Sequence, residues 1–190
     1  MSDIINPYAM GLRVWLRALV EEDAEGPWHT WFSDEDVTKY LNYWRPNTIE
    51  RQRAFFRERV VSSGDLVLAV IDKATNHHIG IVSLSRIDWV HRFADIALVI
   101  GDKQARQKAV LGLEAFTLML RVGFLRLNLE NLKGGYADGQ DHSRQILQAL
   151  RFQEVGRYKD LFCIDGVSCD HVVVQLSRAD WLTRNAQDMS

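Results

Sequence analysis

Thiols, imidazoles, phenols and carboxylates are the groups with which this 190-residue chain could do chemistry, and their spacing limits the choice. Cys163 and Cys169 stand on either side of Asp165-Gly166, so a tight turn there would set them across a hairpin. A disulfide is open to them, but a chain of this length does not need one. Two free thiols in a reducing compartment is the simpler reading. No Cys/His cluster has the spacing of a metal site, so no metal is expected. His77-His78 reads as a solvated pair at the end of a turn. The loop NYWRPN, residues 42–47, gathers Tyr43, Trp44 and Arg45, which can stack on and hydrogen-bond a ring or sugar, or can plug the core. Trp28 and Trp31, three apart on a helical stretch, read as core.

Elements must position these groups, and the hydrophobic pattern gives their order. Residues 12–18 alternate as a first strand. Residues 23–32 and 34–41 read as two short helices, the second capped by Asp34. Thr48 caps a third, which runs to about Ser62 and stops at Gly64. Residues 66–72, 79–87 and 93–100 form an antiparallel meander. Residues 109–125 make a long helix, apolar on most faces and so well buried. A strand within 129–137, a helix over 143–150, and strands 152–163 and 168–175 joined by Asp165-Gly166 complete the core. The polar segment after Trp181 reads as a loose tail. This order predicts a single domain over residues 1–190, with its core at about 12–181. Its class is α+β (mixed α/β), a mixed, mostly antiparallel sheet flanked by helices.

Hydrophobic residues make up 47% of the chain, enough for one sizeable core, and a net charge of −2 argues against a dedicated nucleic-acid binder. No apolar run reaches membrane-spanning length. The opening MSDIINPYAMG lacks the basic start and apolar core of a secretory signal. The expectation is a cytoplasmic protein with neither nucleic acid nor membrane as partner.

Four strings then occur in order: LRALVEEDAEGPWHTWFSDEDVTKYL, IGIVSLSRIDWVHRFADIALVIGDK, LEAFTLMLRVGFLRLNLENL and SRQILQALRFQEVGRYKDLFCIDGVSCDHVVVQLSRADW. Together, over roughly residues 12–181, they resemble the GNAT N-acyltransferases. The nearest branch is that of ribosomal-protein N-terminal acetyltransferases and similar amino-sugar and aminoglycoside enzymes. The resemblance implies the GNAT acyltransferase fold and acetyl-CoA as co-substrate. It implies direct transfer to a primary amine of a small molecule (amino sugar, aminoglycoside-like amine or amino acid) or of a protein N-terminus. Homodimers are common in the family, so a second copy of the chain is a further candidate partner.

In the family, the cofactor pyrophosphate lies on a loop of pattern Gln/Arg-x-x-Gly-x-Gly/Ala opening the long helix. Backbone N–H groups and the helix dipole hold an anion there. The matching residues are Gln107, Lys108, Ala109, Val110, Leu111 and Gly112; Gln107 and Gly112 fit, and the first glycine is Val110. In a register one residue earlier, Arg106 takes the first place. Lys103, Arg106 and Lys108 can add positive charge to a loop one residue longer than usual. The backbone of Leu98, Val99 and Ile100 would flank the pantetheine. Gln140 stands where the family often has Asn, and Ser143 matches a frequent Ser. Arg151 replaces the Gly of a Gly-Phe pair, where glycine relieves a tight helix-to-strand joint.

For the chemistry, the resemblance puts Asp95, in FADIALVIG, as base or amine-orienting residue, with an ordinary polar strand residue as the equal alternative. The general acid is a Tyr in many relatives, a place held here by Leu147; Tyr136 and Ser143 are substitutes by proximity. Tyr43, Trp44, Arg45 and Tyr158 are the candidate acceptor-binding residues. The changes at Val110, Leu147 and Arg151 leave two other readings open: a catalytically idle GNAT-like binding module, or a structural subunit.

Overall fold

The computed structural model describes residues 6–41, 43, 45–61 and 64–187, with side chains as far as Arg184. The acceptor candidate Trp44, the expected helix end at Ser62 and the last residues of the tail, 188–190, lie outside the described residues. Strands β1 (Ala9–Met10), β2 (Val14–Ala18), β3 (Leu66–Asp72), β4 (His78–Asp88), β5 (Phe93–Ile100), β6 (Asn131–Ala137), β7 (Gln153–Ile164) and β8 (Val167–Ser177) form one sheet. Their order is β1-β2-β3-β4-β5-β6-β8-β7, and every pairing is antiparallel except β5 with β6. That parallel pairing is short: it joins Phe93 to Asn131, Ala94 to Leu132 and Asp95 to Lys133, and beyond Asp95 the two strands part.

Strand periodicity divides the core in two. Leu68 and Val70 of β3 join Val82, Leu84, Ala94 and Ile96 on one face, while Val67, Ala69 and Ile71 point to the other. The first face is covered by α5 (Ala109–Arg121), α6 (Asp141–Ala149) and α7 (Arg178–Gln187), with Phe116, Met119 and Ile146 in the packing. The second is covered by α1 (Trp28–Trp31), α2 (Glu35–Thr38) and α3 (Ile49–Phe55), through Trp28, Trp31 and Val37. Caps fix the short helices: the Asp34 carboxylate accepts from the Asp36 amide at 3.0 Å, and the Thr48 hydroxyl from the Arg51 amide at 3.3 Å. A further one-turn helix, α4 (Lys103–Arg106), stands between β5 and α5 with Asp102 as its cap.

Several expectations are corrected. The helix expected over 23–32 is a 3-10 turn, Glu21–Glu25, and a separate α1, divided at Gly26-Pro27, because proline lacks the N–H that a continuous helix would need. The third helix and the long helix each end in a π-helical turn, Phe56–Val61 and Val122–Arg126. The tail begins as helix α7, held by Trp181 against Phe124 at 5.4 Å between ring centroids. His78 is not solvated: its side chain is 7% exposed, beside Trp28 and Trp31. Cys163 pairs with Ser168 and Cys169 with Phe162, so the two thiols point to opposite faces of the hairpin and are free.

The joint at Arg151 has the strain expected from its sequence. The Phe152 amide donates to the Leu147 carbonyl and the Arg151 amide to Gln148, a Schellman closure of α6 with Phe152 and Leu147 both buried. Arg151 occupies the left-handed position of that motif, at φ 64°. Arg151→Gly is expected to stabilise the protein by about 1 kcal/mol, the cost of a left-handed side-chain-bearing residue less the extra entropy of glycine. A thermal melt checks this, and an unchanged or lower Tm would show that Arg151 is held by contacts worth more than the strain.

Candidate active site

Where β5 leaves β6, the sheet opens. The edge of β5 from Ile96 to Ile100 has no strand partner on that side among the described residues. A cleft of about 270 Å³ occupies the gap, lined by Ile96–Ile100, by Gly134–Ala137 of β6, and by Gln140, Ser143, Ile146 and Leu147 around the start of α6. The cleft is therefore a consequence of topology: a parallel pair splays where no hydrogen bond holds it, and helices on both faces of the sheet frame the opening.

The N-terminus of α5 adjoins the cleft through Arg106, which lines it, while the loop candidates Gln107, Lys108, Ala109, Val110, Leu111 and Gly112 are not among the lining residues. The amides of Lys108 and Leu111 donate to the carbonyls of Ala105 and Lys108, both at 2.9 Å. The first-turn amides of Ala109 and Val110 have no acceptor within the helix, and no side chain caps this end. Gln107, Lys108, Ala109 and Val110 are exposed, while Leu111 is buried, so the turn is open to an anion. Val110 sits in ordinary helix with its side chain outward, so the expected need for glycine there does not arise. Gly112 faces inward: a Cβ on it would lie 3.4 Å from Leu98, 3.5 Å from Ile100 and 3.7 Å from Ile146, so it sits where α5, β5 and α6 meet. Arg106 is committed elsewhere, donating to Asp34 at 2.7 Å while lining the cleft. Burial pulls the Asp34 carboxyl up, but the Arg106 hydrogen bond and the Asp36 amide bring it to a net value below the usual carboxylate range. This pair ties α2 to α4. Gly101, where β5 turns into α4, lies under the Trp31 indole, and any side chain there would collide with that ring.

One end of the cleft lies between α2 and the β7–β8 hairpin. Asp36, Val37, Tyr40 and Leu41 line it from the first side, Phe162 and His171 from the second. An ion pair between Lys39 and Asp165 joins α2 to the tip of the hairpin. Tyr136 lines the cleft from β6 and is 8% exposed; burial raises its phenol above the ordinary value, with Glu154 adding to the rise. Ser143 and Gln140 open α6, and neither residue's neighbours include a side-chain cap for that helix.

Leu98, Val99, Ile100, Arg106, Tyr136, Gln140 and Ser143 are thus brought together around one cleft. Asp95 is not. Its carboxylate pairs with Arg86 and with Lys133, the latter at 3.3 Å, at the closed end of the sheet where β5 and β6 are still hydrogen-bonded. Tyr43 is turned away: its hydroxyl donates to Asn47 Oδ1 at 2.7 Å, Asn47 in turn donates to Gln52 and to the His29 carbonyl, and its ring lies against Phe32. Arg45 is exposed and is not among the cleft residues. Tyr158 is exposed and reaches the site only through His171, on which it stacks. Sequence reasoning missed Asp36, Tyr40, Phe162 and His171. The available signal was Gly134-Gly135 inside a strand, since glycine there marks a close approach.

With this geometry in hand, comparison with known proteins is decisive at the level of family. The family model for the acetyltransferase (GNAT) domain matches residues 13–153. The chain belongs to that family, and it is an N-acetyltransferase. It is 29% identical over 155 residues to the uncharacterized N-acetyltransferase p20 of Bacillus licheniformis, covering 78% of this chain and 83% of that protein. Among solved structures, a GNAT-family acetyltransferase from Bacillus anthracis aligns with a TM-score of 0.76 at 18% identity, over 90% of this chain and 98% of the other. A spermidine N-acetyltransferase from Vibrio cholerae, in complex with CoA and spermine, aligns with a TM-score of 0.74 at 21% identity, over 90% and 98%. At these identities the two structures speak for the fold, and none of these matches singles out the ribosomal-protein branch. Among the described residues no group of His, Cys, Asp and Glu could hold a metal, and no helix is long and apolar enough to cross a membrane.

Proposed function

We propose that this protein transfers the acetyl group of acetyl-CoA to the primary amine of a small molecule. The observation that carries the reading is the parting of β5 from β6 beyond Asp95, which leaves a slot lined by residues from both faces of the sheet. The pyrophosphate would rest on the Ala109 and Val110 amides, with Lys103 and Lys108 exposed nearby, and the pantetheine would run past Gly112 along the free edge of β5. The acetyl thioester then meets the amine in the slot.

A small acceptor is favoured over a polypeptide because the Lys39–Asp165 ion pair bridges α2 and the hairpin beside the residues that line the acceptor end. The spermidine N-acetyltransferase of the same fold supports an amine acceptor of that size. Tyr136 supplies the proton for the departing thiolate, since its raised phenol keeps its proton at neutral pH. Calorimetric titration with acetyl-CoA, followed by thiol release with a panel of polyamines, amino sugars, aminoglycosides, amino acids and N-terminal peptides, tests the reading. Micromolar binding and turnover with a small amine are expected. Absence of binding, or turnover with peptides alone, would overturn it.

A further inference from the structure

We propose that His171 is the general base that takes the proton from the acceptor ammonium, an assignment that rests on the transferase reading above. His171 lies on β8, directly opposite Ala137 of β6 and Tyr158 of β7. Opposed residues share a face, so its ring lies on the face of Gly135 and Ala137, and Tyr136 points to the other. A side chain on Gly135 would collide with the imidazole Nε2. The bare backbone at Gly135 lets the ring lean across β6 toward the gap that β5 leaves, and His171 accordingly lines the cleft.

Two rings hold it there. Tyr158 stacks on the imidazole at 5.9 Å with an 18° tilt, and Phe162 meets it edge-on at 4.9 Å. Burial among them lowers the imidazole pKa below its ordinary value, so the ring is neutral and able to accept at pH 7. The titratable and charged groups around it are Tyr158 on its own hairpin, Tyr136 behind β6, and Asp36, Tyr40, Arg106 and His142 around the rest of the cleft. His142 is exposed on the first turn of α6. Asp95, by contrast, is held by two cations outside the cleft.

The step balances as follows. An ammonium proton passes to His171, and the freed lone pair forms the C–N bond at the thioester carbonyl. The tetrahedral adduct collapses with cleavage of the C–S bond, the thiolate takes a proton from Tyr136, and the second nitrogen proton of the adduct returns to the phenolate. His171 releases its proton to solvent, so an ammonium and an acetyl thioester give an amide, a thiol and one proton. Base and acid thus approach the thioester from opposite faces of β6, which only a parted sheet allows.

The test is the pH profile of kcat/KM for an amine that native protein acetylates, with His171→Gln alongside. Native protein should lose activity as pH falls through the lowered imidazole pKa, because the imidazolium cannot accept. His171→Gln should lose about a hundredfold or more in kcat together with that acid limb. Its acetyl-CoA affinity by calorimetry should stay within about threefold of native. Activity within about threefold with the limb intact, or a limb that disappears in His142→Gln instead, overturns the assignment. Should His171→Gln fold poorly, NMR titration of the native His171 ring decides: a ring already protonated at pH 7 overturns it. Native protein that acetylates no amine at all brings down the transferase reading itself, a result distinct from failure of the base alone.

Discussion

Asp23→Asn is expected to destabilise the protein by about 3 kcal/mol or more, the effect of leaving a buried guanidinium without its counter-charge. The Asp23 carboxylate accepts from Arg17 through both oxygens at 2.6 Å and from the Val20 amide at 2.9 Å. Both side chains of the ion pair are less than a tenth exposed. His78 adds to the cluster, with Nδ1 at 3.5 Å from Asp23 and Nε2 at 3.0 Å from the Gly80 carbonyl. Burial alone would raise the Asp23 carboxyl, but hydrogen bonding from Arg17, then the nearby His78, then the Val20 amide hold it well below the usual carboxylate range. The sign of the pH effect follows. A depressed carboxyl contributes its full stability above the unfolded value, ~3.9, and loses it as pH falls from there toward the folded value. Denaturant melts at neutral and acid pH measure both effects: native protein should weaken steeply below about pH 4, and Asp23→Asn should start lower and fall less. A variant as stable as native at pH 7 would show that Arg17 finds another acceptor. The loss should also reach the cleft, because Trp31 lies against His78 at 5.0 Å on one side and over Gly101, where β5 turns into α4, on the other.

Much of the frame that makes such predictions possible could be read from local rules. The strands expected at 66–72 and 93–100 end where hydrophobic alternation ends. Asp34 and Thr48 cap the helices they were expected to cap, and Asp165-Gly166, both at positive φ, makes the two-residue turn. These features depend on a few neighbouring residues. The site is different. Period-two alternation tells which residues of β5 share a face, but not that β5 abandons β6 after Asp95. Asp95 and the cleft therefore fall on opposite sides of a point the sequence does not mark. His171 was invisible for a related reason: its contacts with Gly135, Tyr158 and Phe162 arise from pairing across three strands. His78, next to a turn, looked solvated because nothing local says that Trp28 and Trp31 will close over it. Tyr43 looked free to meet a substrate because its partner Asn47 is fixed in turn by Gln52 of α3 and the His29 carbonyl, contacts that form only once the chain folds back.

Val110→Asp separates the proposed cofactor site from the stability of the helix that would make it, because one substitution acts on the two with opposite sign. Val110 is exposed in the first turn of α5, whose end has no side-chain cap. A carboxylate in a first turn interacts favourably with the helix dipole, so Tm should hold or rise by the equivalent of about 0.5 kcal/mol. The same charge would stand beside the pyrophosphate. At about 6 Å and an effective dielectric of ~40, one charge against one phosphate costs roughly 1.4 kcal/mol, and a second phosphate adds to it. Acetyl-CoA affinity should therefore fall about tenfold to a hundredfold by calorimetry, and the gap from native should narrow as salt is raised, since these groups are exposed and screened. Val110→Asn tests whether shape or charge is responsible, and it should stay within about threefold of native because in the proposed site the amides of the turn, not the side chain at 110, would make the contact. If Val110→Asp bound acetyl-CoA as native does, with Tm raised, the anion would have to rest elsewhere than on the first turn of α5. The parted strands would then remain as a slot whose cofactor enters by another path.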